Sequence, residues 1–279
     1  MNDTSPAAAA GTITLGGDLR VNRLGFGAMR LTGRGIWGAP KDAQNARRVL
    51  QRALELGVNF IDTADAYGPE VNERQIADTL HPYPPGLVIA TKGGLVRPGP
   101  DQWERNGSPA HLRQACEASL KRLRVERIDL YQFHAPDPRV RIEDSVGELA
   151  KLQQEGKSRH IGVSNFSVAE LERVAGIAKI VSVQNRYNIT SRRSDDVVAY
   201  CEQRKMAFIP YAPLAAGEHA GTDTASRELE RIAKQHSMSL GQAALAWLLA
   251  RSPVMLPIPG TSSVAHLEEN VAAAAISLA

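Results

Sequence analysis

The sequence predicts an α/β fold, a (β/α)8 TIM barrel preceded by a β-hairpin. Eight short apolar runs recur along the chain. Their near-continuous apolar character is that of strands covered on both faces, as in a parallel sheet. Helical patterns lie between the runs, and repeated strand–helix alternation is the mark of such a barrel. The length of 279 residues suits one barrel, and no linker or break in composition divides the chain. A doubly wound sheet is the structural alternative. Against it, the first run leads into Gly25-Phe26-Gly27-Ala28-Met29-Arg30, which departs from the G-x-G-x-x-G turn that opens a helix in dinucleotide-binding sheets.

Residues 1–11, MNDTSPAAAAG, are expected to be a flexible, frayed tail, and residues 12–279 a single domain. Thr12 to Leu15, a Gly16-Gly17-Asp18 turn and Leu19 to Val21 form the hairpin. The strands expected next are Leu24 to Gly27, Val58 to Ile61, Leu87 to Ala90, Ile128 to Phe133, His160 to Val163, Ile180 to Val183, Ala207 to Pro210 and Val254 to Ile258. Asp42 caps a helix with Val49, Leu50, Ala53 and Leu54 inward, ended by Gly57. Ser108 caps another, with Pro109 at its first position and a stripe of Leu112, Ala115, Cys116, Leu120 and Leu123. Val146, Leu149 and Ala150 before Gly156 repeat the scheme. Leu171 to Val174, Val197 to Tyr200, Leu229 to Ala233 and Leu240 to Leu249 follow.

Hydrophobic content of 43% supports a large core, and a net charge of +3 without a basic, aromatic-interleaved run gives no ground for nucleic-acid binding. No segment is long and apolar enough to span a membrane, and the amino terminus lacks the basic n-region of a signal peptide. Cys116 and Cys201 sit far apart in helix-like stretches and read as small packing residues in a reducing compartment. A cytoplasmic protein, monomeric or a weak homo-oligomer, is expected. No metal is implied.

In a barrel, chemistry gathers where strands end. Asp62 closes the second strand, with Tyr67 in its loop; Lys92 follows the third and His134 the fourth. Singly, these are a turn cap, a solvated lysine and a packing histidine. Together they form a proton-donating device. A phenol with a pKa near ~10 is a poor acid at neutral pH. Lys92 is expected to lower it, Asp62 to keep Lys92 charged and aimed, and a neutral His134 to orient a carbonyl group.

The motifs NFIDTADAYG, ATKGG, DLYQFHAPD, GVSNF, PYAPLA and IPGTSSVAHLEEN come in the order found in aldo-keto reductases, and the chain resembles that family from about Leu24 to Asn270. The resemblance implies a (β/α)8 barrel that reduces aldehydes and ketones with NADPH, with a catalytic tetrad at Asp62, Tyr67, Lys92 and His134. It places the nicotinamide carboxamide on Ser164, Asn165 and Gln184. Ser164-Asn165 reads equally as an N-cap of the next helix. It stacks Tyr211 on the nicotinamide, with Pro213, Leu214, Ile258, Gly27, Met29 and Arg30 also at the cofactor. Gly260, Thr261 and Ser262 precede a helix whose first amides suit phosphate, with His266, Glu269 and Asn270 beyond, the last two toward the adenine. Family members with a strong NADPH preference often carry a lysine and an arginine near Gly260 and His266. This chain has neither there, so NADH remains open beside NADPH.

Trp37 and Trp103 lie in Gly/Pro-rich loops and are expected either to line the substrate pocket or to pin their own loops. Arg30, Arg97 and Arg105 are candidates for meeting an anionic substrate group. The opening GFGAMR and the short tail resemble bacterial members acting on small aromatic aldehydes, pyridoxal among them. Two other functions fit the residues: a Schiff-base aldolase or isomerase using Lys92, and a non-catalytic nicotinamide-binding redox sensor.

Overall fold

The computed structural model describes residues 4–214 and 224–278. The hairpin forms first, β1 (Thr12–Leu15) against β2 (Leu19–Asn22), antiparallel with Leu15 opposite Leu19. Then come β3 (Phe26–Gly27), α1 (Ala43–Glu55), β4 (Phe60–Asp62), α2 (Val71–Leu80) and β5 (Val88–Gly93). A small antiparallel pair, β6 (Leu95–Val96) and β7 (Glu104–Arg105), interrupts the alternation. It resumes with α3 (Pro109–Leu123), β8 (Ile128–Phe133), α4 (Ile142–Gln154), β9 (Ser158–Ser164), α5 (Val168–Val174), β10 (Ile180–Arg186), α6 (Asp195–Arg204) and β11 (Ala207–Tyr211). Helices α7 (Thr224–Gln235), α8 (Leu240–Arg251) and α9 (Val264–Ala272) complete the described chain.

The seven strands β3, β4, β5, β8, β9, β10 and β11 form one parallel sheet in sequence order. The expected eighth run, Val254 to Ile258, is not a regular strand, yet it closes the sheet into a barrel. On one side Phe208 N donates to Val254 O and Leu256 N to Phe208 O, both at 2.9 Å. On the other, Gly25 N donates to Pro257 O at 2.9 Å and Gly27 N to Pro259 O at 3.3 Å. Pro257 and Pro259 accept but cannot donate, which is why the ladder is irregular here.

Strand alternation sorts the side chains. One set faces the barrel axis, where Phe60, Val88, Ala90, Leu130, Val181, Ala207, Ile209, Leu256 and Ile258 pack into one cluster. Leu15, Leu19 and Val21 of the hairpin join it and plug the barrel's lower end. The other set packs outward on the helices, as where Tyr131, Phe133, Ile161 and Val163 meet Leu112, Val146 and Leu149. Caps start the helices as the sequence leads one to expect: Asp42 accepts from Asn45 N, and Ser108 from His111 N. For α5 the cap is Ser167, reciprocated by Glu170 in a capping box, not Ser164-Asn165.

One expectation, at the amino terminus, is corrected. The alanine run is not frayed: Pro6–Ala10 is a 3-10 turn, Ala7 is fully buried, and Ala7 N donates to Leu56 O at 2.9 Å. Docking against the apolar cluster that includes Leu56 and Ala273 supplies the burial that the bare composition does not suggest. Helix α2 was not expected. Its buried face carries Asn72 and Glu73 besides Ile76, Ala77 and Leu80, so no apolar stripe marks it. Those polar residues are met by two threonines, Thr63 just past β4 and Thr91 on β5: Thr63 Oγ1 donates to Asn72 at 2.7 Å and Thr91 Oγ1 to Glu73 at 2.5 Å.

Candidate active site

One residue pair further along each strand, the axial layer turns from apolar to polar. Phe60 gives way to Asp62, Ala90 to Lys92, Leu130 to Gln132 and Ile209 to Tyr211, with Gln184 at the same level on β10. Register holds these ends level, with Lys92 opposite Gln132 and Gln184 opposite Ser164. Backbone position alone therefore brings the polar side chains together above the core.

Lys92 is completely buried and all three of its donors are used. Its Nζ donates to Asp62 Oδ1 at 2.5 Å, to Thr63 O at 2.9 Å and to Tyr67 Oη at 3.3 Å. Asp62 Oδ2 accepts from Gln132 Nε2 at 3.0 Å and from Gln184 Nε2 at 2.8 Å. His134 stands edge-on to the Tyr67 ring, centroids 5.9 Å apart, and its buried Nδ1 has no partner. Its backbone carbonyl accepts from Asn165 Nδ2 at 3.0 Å.

Electrostatics assigns the protons. Burial by itself would strip Lys92. The charge of Asp62, the Tyr67 oxygen and their hydrogen bonds outweigh it and hold the ammonium above its ordinary value. Burial, then the nearby Lys92 charge, pushes His134 well below the histidine range, so the ring is neutral at pH 7. The phenol corrects an expectation. Burial raises Tyr67 above its ordinary value, and Lys92 opposes that without overturning it. Tyr67 thus stays protonated at neutral pH, the form a proton donor needs. The ammonium's service is to a phenolate once the proton has left.

Tyr67 and His134 form one end of a cavity of about 570 Å³. Its walls bring together most of the expected cofactor residues: Ser164, Asn165, Gln184 and Tyr211 on one side, then Pro213 and Leu214, and Gly27, Met29, Arg30, Ile258 and Gly260 opposite. Tyr211 donates its hydroxyl to Asn165 Oδ1 at 2.9 Å, which fixes the ring in the wall. Asn165 itself takes φ 61°, a left-handed backbone that asparagine tolerates better than most residues. Gly27 and Gly260 let two strand ends meet. A Cβ on Gly27 would stand 2.7 Å from Ile258 O, and one on Gly260 2.6 Å from Gly27 O.

Some expected residues lie elsewhere. Thr261, Ser262, His266, Glu269 and Asn270 do not line the cavity but continue from Gly260 along the start and flank of α9. Asn270 is buried, and the Glu269 carbonyl accepts from Gln242. Gln184 is in the cavity wall, with its amide nitrogen donating to Asp62 and Gln132. Trp37 is outside the cavity wall; its backbone bridges to Gly68 and its ring lies by Arg97, so it pins its loop. Trp103 does line the cavity. Arg97 is bound to backbone carbonyls, and neither it nor Arg105 lines the cavity. Leu95, Arg186 and Ala212 line it without having been expected. Gln132 was legible, being two residues before His134 on the same strand face.

A barrel whose axial polar layer couples a buried ammonium to a carboxylate and a protonated phenol, beside a neutral imidazole, defines a carbonyl–alcohol oxidoreductase. The chain belongs to the aldo/keto reductase family, whose model matches residues 23–279. It is 50% identical to an uncharacterized oxidoreductase of Schizosaccharomyces pombe over 98% of this chain and 87% of that one. It is 42% identical to pyridoxine 4-dehydrogenase of Escherichia coli, over 97% and 95% respectively. Among solved structures, a glycerol dehydrogenase from Gluconobacter oxydans superimposes with TM-score 0.86 at 31% identity, covering 97% of this chain and 92% of that one. An aldo-keto reductase from Klebsiella pneumoniae in complex with NADPH does so with TM-score 0.80 at 25% identity, covering 96% and 90%.

Proposed function

We propose that this chain reduces aldehydes and ketones reversibly with NADPH, and that Tyr67 gives its proton to the carbonyl oxygen. The observation that carries the reading is the Lys92 ammonium, bonded at once to Asp62 and to the Tyr67 hydroxyl at the cavity end. The residues present fit the cofactor. Ser164 and the tethered Tyr211 suit a nicotinamide end. Arg30, whose Cγ would lie 3.6 Å from a Cβ on Gly260, supplies a cation where the family's lysine is missing. The first amides of α9 and His266, which follow Gly260 along the chain, are the groups suited to phosphate. NADH is the less favoured partner.

When bound, the reduced nicotinamide supplies the hydride to the carbonyl carbon. His134 and Tyr67 hold the carbonyl oxygen between them, the neutral imidazole lending a hydrogen bond without competing for the proton. Tyr67 Oη passes its proton to the oxygen as charge builds there. Lys92, kept charged by Asp62, stabilises the phenolate that remains. Gln132 and Gln184 grip the far oxygen of Asp62 and so hold the carboxylate in register.

For the substrate, we favour a small aromatic aldehyde such as pyridoxal, a choice supported by the pyridoxine-oxidising relative and by the indole edge of Trp103 beside Tyr67. The setting proposed is the cytoplasm, with the chain acting as a monomer or weak homo-oligomer. A Schiff base on Lys92 is disfavoured, because a nucleophilic amine must be unprotonated and reachable, and Lys92 is charged, saturated and outside the cavity wall. The test is a panel of aldehydes and ketones with NADPH and NADH, followed by cofactor absorbance. Turnover of aromatic aldehydes with NADPH is expected. Tight cofactor binding with no turnover on any carbonyl compound would instead favour the redox-sensing reading.

A further inference from the structure

Arg97, just past β6, takes no part in the proton chemistry, yet its guanidinium is saturated with backbone carbonyls. Its Nε donates to Gln102 O at 2.7 Å. Its Nη1 donates to Ile36 O at 2.8 Å and to Ala66 O at 3.1 Å. Its Nη2 donates to Gly35 O at 2.7 Å and to Gly99 O at 3.4 Å. These acceptors belong to the loop after β3, the loop after β4 and Arg97's own loop. Ala66 immediately precedes Tyr67.

The flat face of the same group lies on Trp103, with Cζ 3.7 Å from the ring centroid. Trp103 is 39% exposed, so burial alone does not hold it. It stands edge-on to Tyr67, centroids 6.4 Å apart, and to His134 at 6.5 Å. A lysine here would keep the charge but lose both the fork that spans three loops and the planar face that stacks.

We infer that Arg97 is a positioning residue that sets an aryl-selecting wall of the pocket: it holds Trp103 over Tyr67 and His134, and fastens that wall to the Tyr67 loop through Ala66. The inference deepens the proposed carbonyl reduction and rests on it. Flat aromatic substrates meet the indole in a fixed orientation, whereas short aliphatic ones scarcely use it.

The test uses Arg97→Lys, Trp103→Ala and the double variant. Specificity is the ratio of kcat/KM for benzaldehyde to that for propanal, with NADPH. Arg97→Lys is expected to lower the ratio tenfold or more through a higher KM for benzaldehyde. Trp103→Ala, which leaves the Arg97 bonds intact, should lower it to the same degree, and the double variant no further, because both act through one contact. Acrylamide quenching of Trp103, taken as the difference between each protein and its Trp103→Phe counterpart, should increase in Arg97→Lys and needs no turnover. A ratio within twofold of wild type, losses that add in the double variant, or unchanged quenching overturns the inference while leaving carbonyl reduction standing. Absence of turnover by the wild type on every carbonyl compound sinks both.

Discussion

Replacing Lys92 by methionine separates what the buried ammonium does for stability from what it does for chemistry. The side chain is wholly enclosed and its three bonds go to Asp62, Thr63 and Tyr67. Methionine fills the space but leaves the Asp62 carboxylate buried with only the amides of Gln132 and Gln184 for company. Removing one member of a buried pair costs about 3–5 kcal/mol, chiefly because the surviving charge is stranded. Against a domain stability of about 5–15 kcal/mol this is about a fifth or more. At about 2–4 °C per kcal/mol it lowers the melting temperature by roughly 6–20 °C.

A double variant isolates the cost of the stranded charge. Asp62→Asn with Lys92→Met keeps an oxygen for the two glutamine amides and removes the uncompensated charge, so it should be more stable than Lys92→Met alone. Urea unfolding of wild type, Lys92→Met and the double variant at pH 7 measures this. Stability in Lys92→Met within about 1 kcal/mol of wild type, well below the cost of a stranded buried charge, would refute the reasoning. So would a double variant less stable than the single. Turnover is expected to fall in both variants, since neither can stabilise the Tyr67 phenolate.

Tyr67→Phe should lower kcat by about 10²–10³, the loss typical of one transition-state hydrogen-bond donor, while the dissociation constant for NADPH, read by fluorescence titration, stays within about twofold. Arg30→Ala should weaken NADPH binding by about tenfold or more, as loss of a charge-assisted bond does, and weaken NADH less; equal losses would remove Arg30 from the phosphate. Asp65 carries a buried Oδ1 without a partner, and burial, then the charge of Glu73, raises its carboxyl well above the usual value. A raised carboxyl contributes stability that is complete below the unfolded value of ~3.9 and is lost as pH rises through the folded value. Asp65→Asn should therefore raise the melting temperature at pH 7 relative to wild type, with the gain shrinking toward pH 4; an identical difference at both pH values would contradict it.

Much of this is written along the chain. Apolar runs mark the strands, and a polar, charged or aromatic residue past most of their ends marks the site, because barrel strands are short and their ends converge. What escaped the sequence has physical reasons. Helix α2 hides because Asn72 and Glu73 turn inward to Thr63 and Thr91, and the partners of an inward polar residue are set by tertiary contact alone. The last barrel segment loses regular pairing to its two prolines but keeps closure through their carbonyls. Gln184 could serve a ligand or Asp62 from the same backbone position, and only the placed rotamer decides.

The acidity of Tyr67 was beyond sequence reasoning for another cause: its direction is a difference of opposed terms. A lysine nearby favours the phenolate and burial disfavours it, and the sequence names the charge but not the depth. With burial prevailing, the phenol is kept as the acid through the neutral range, and a nearby ammonium no longer has to make it acidic beforehand. It has to be in place when the proton departs. That requirement explains why Lys92 sits on a strand and is bonded on three sides rather than swinging from a loop: a fixed charge needs no rearrangement as the phenolate forms. Asp62 is then held twice over, by Lys92 on one oxygen and by two glutamine amides on the other, because any tilt of the carboxylate would move the ammonium off the phenol.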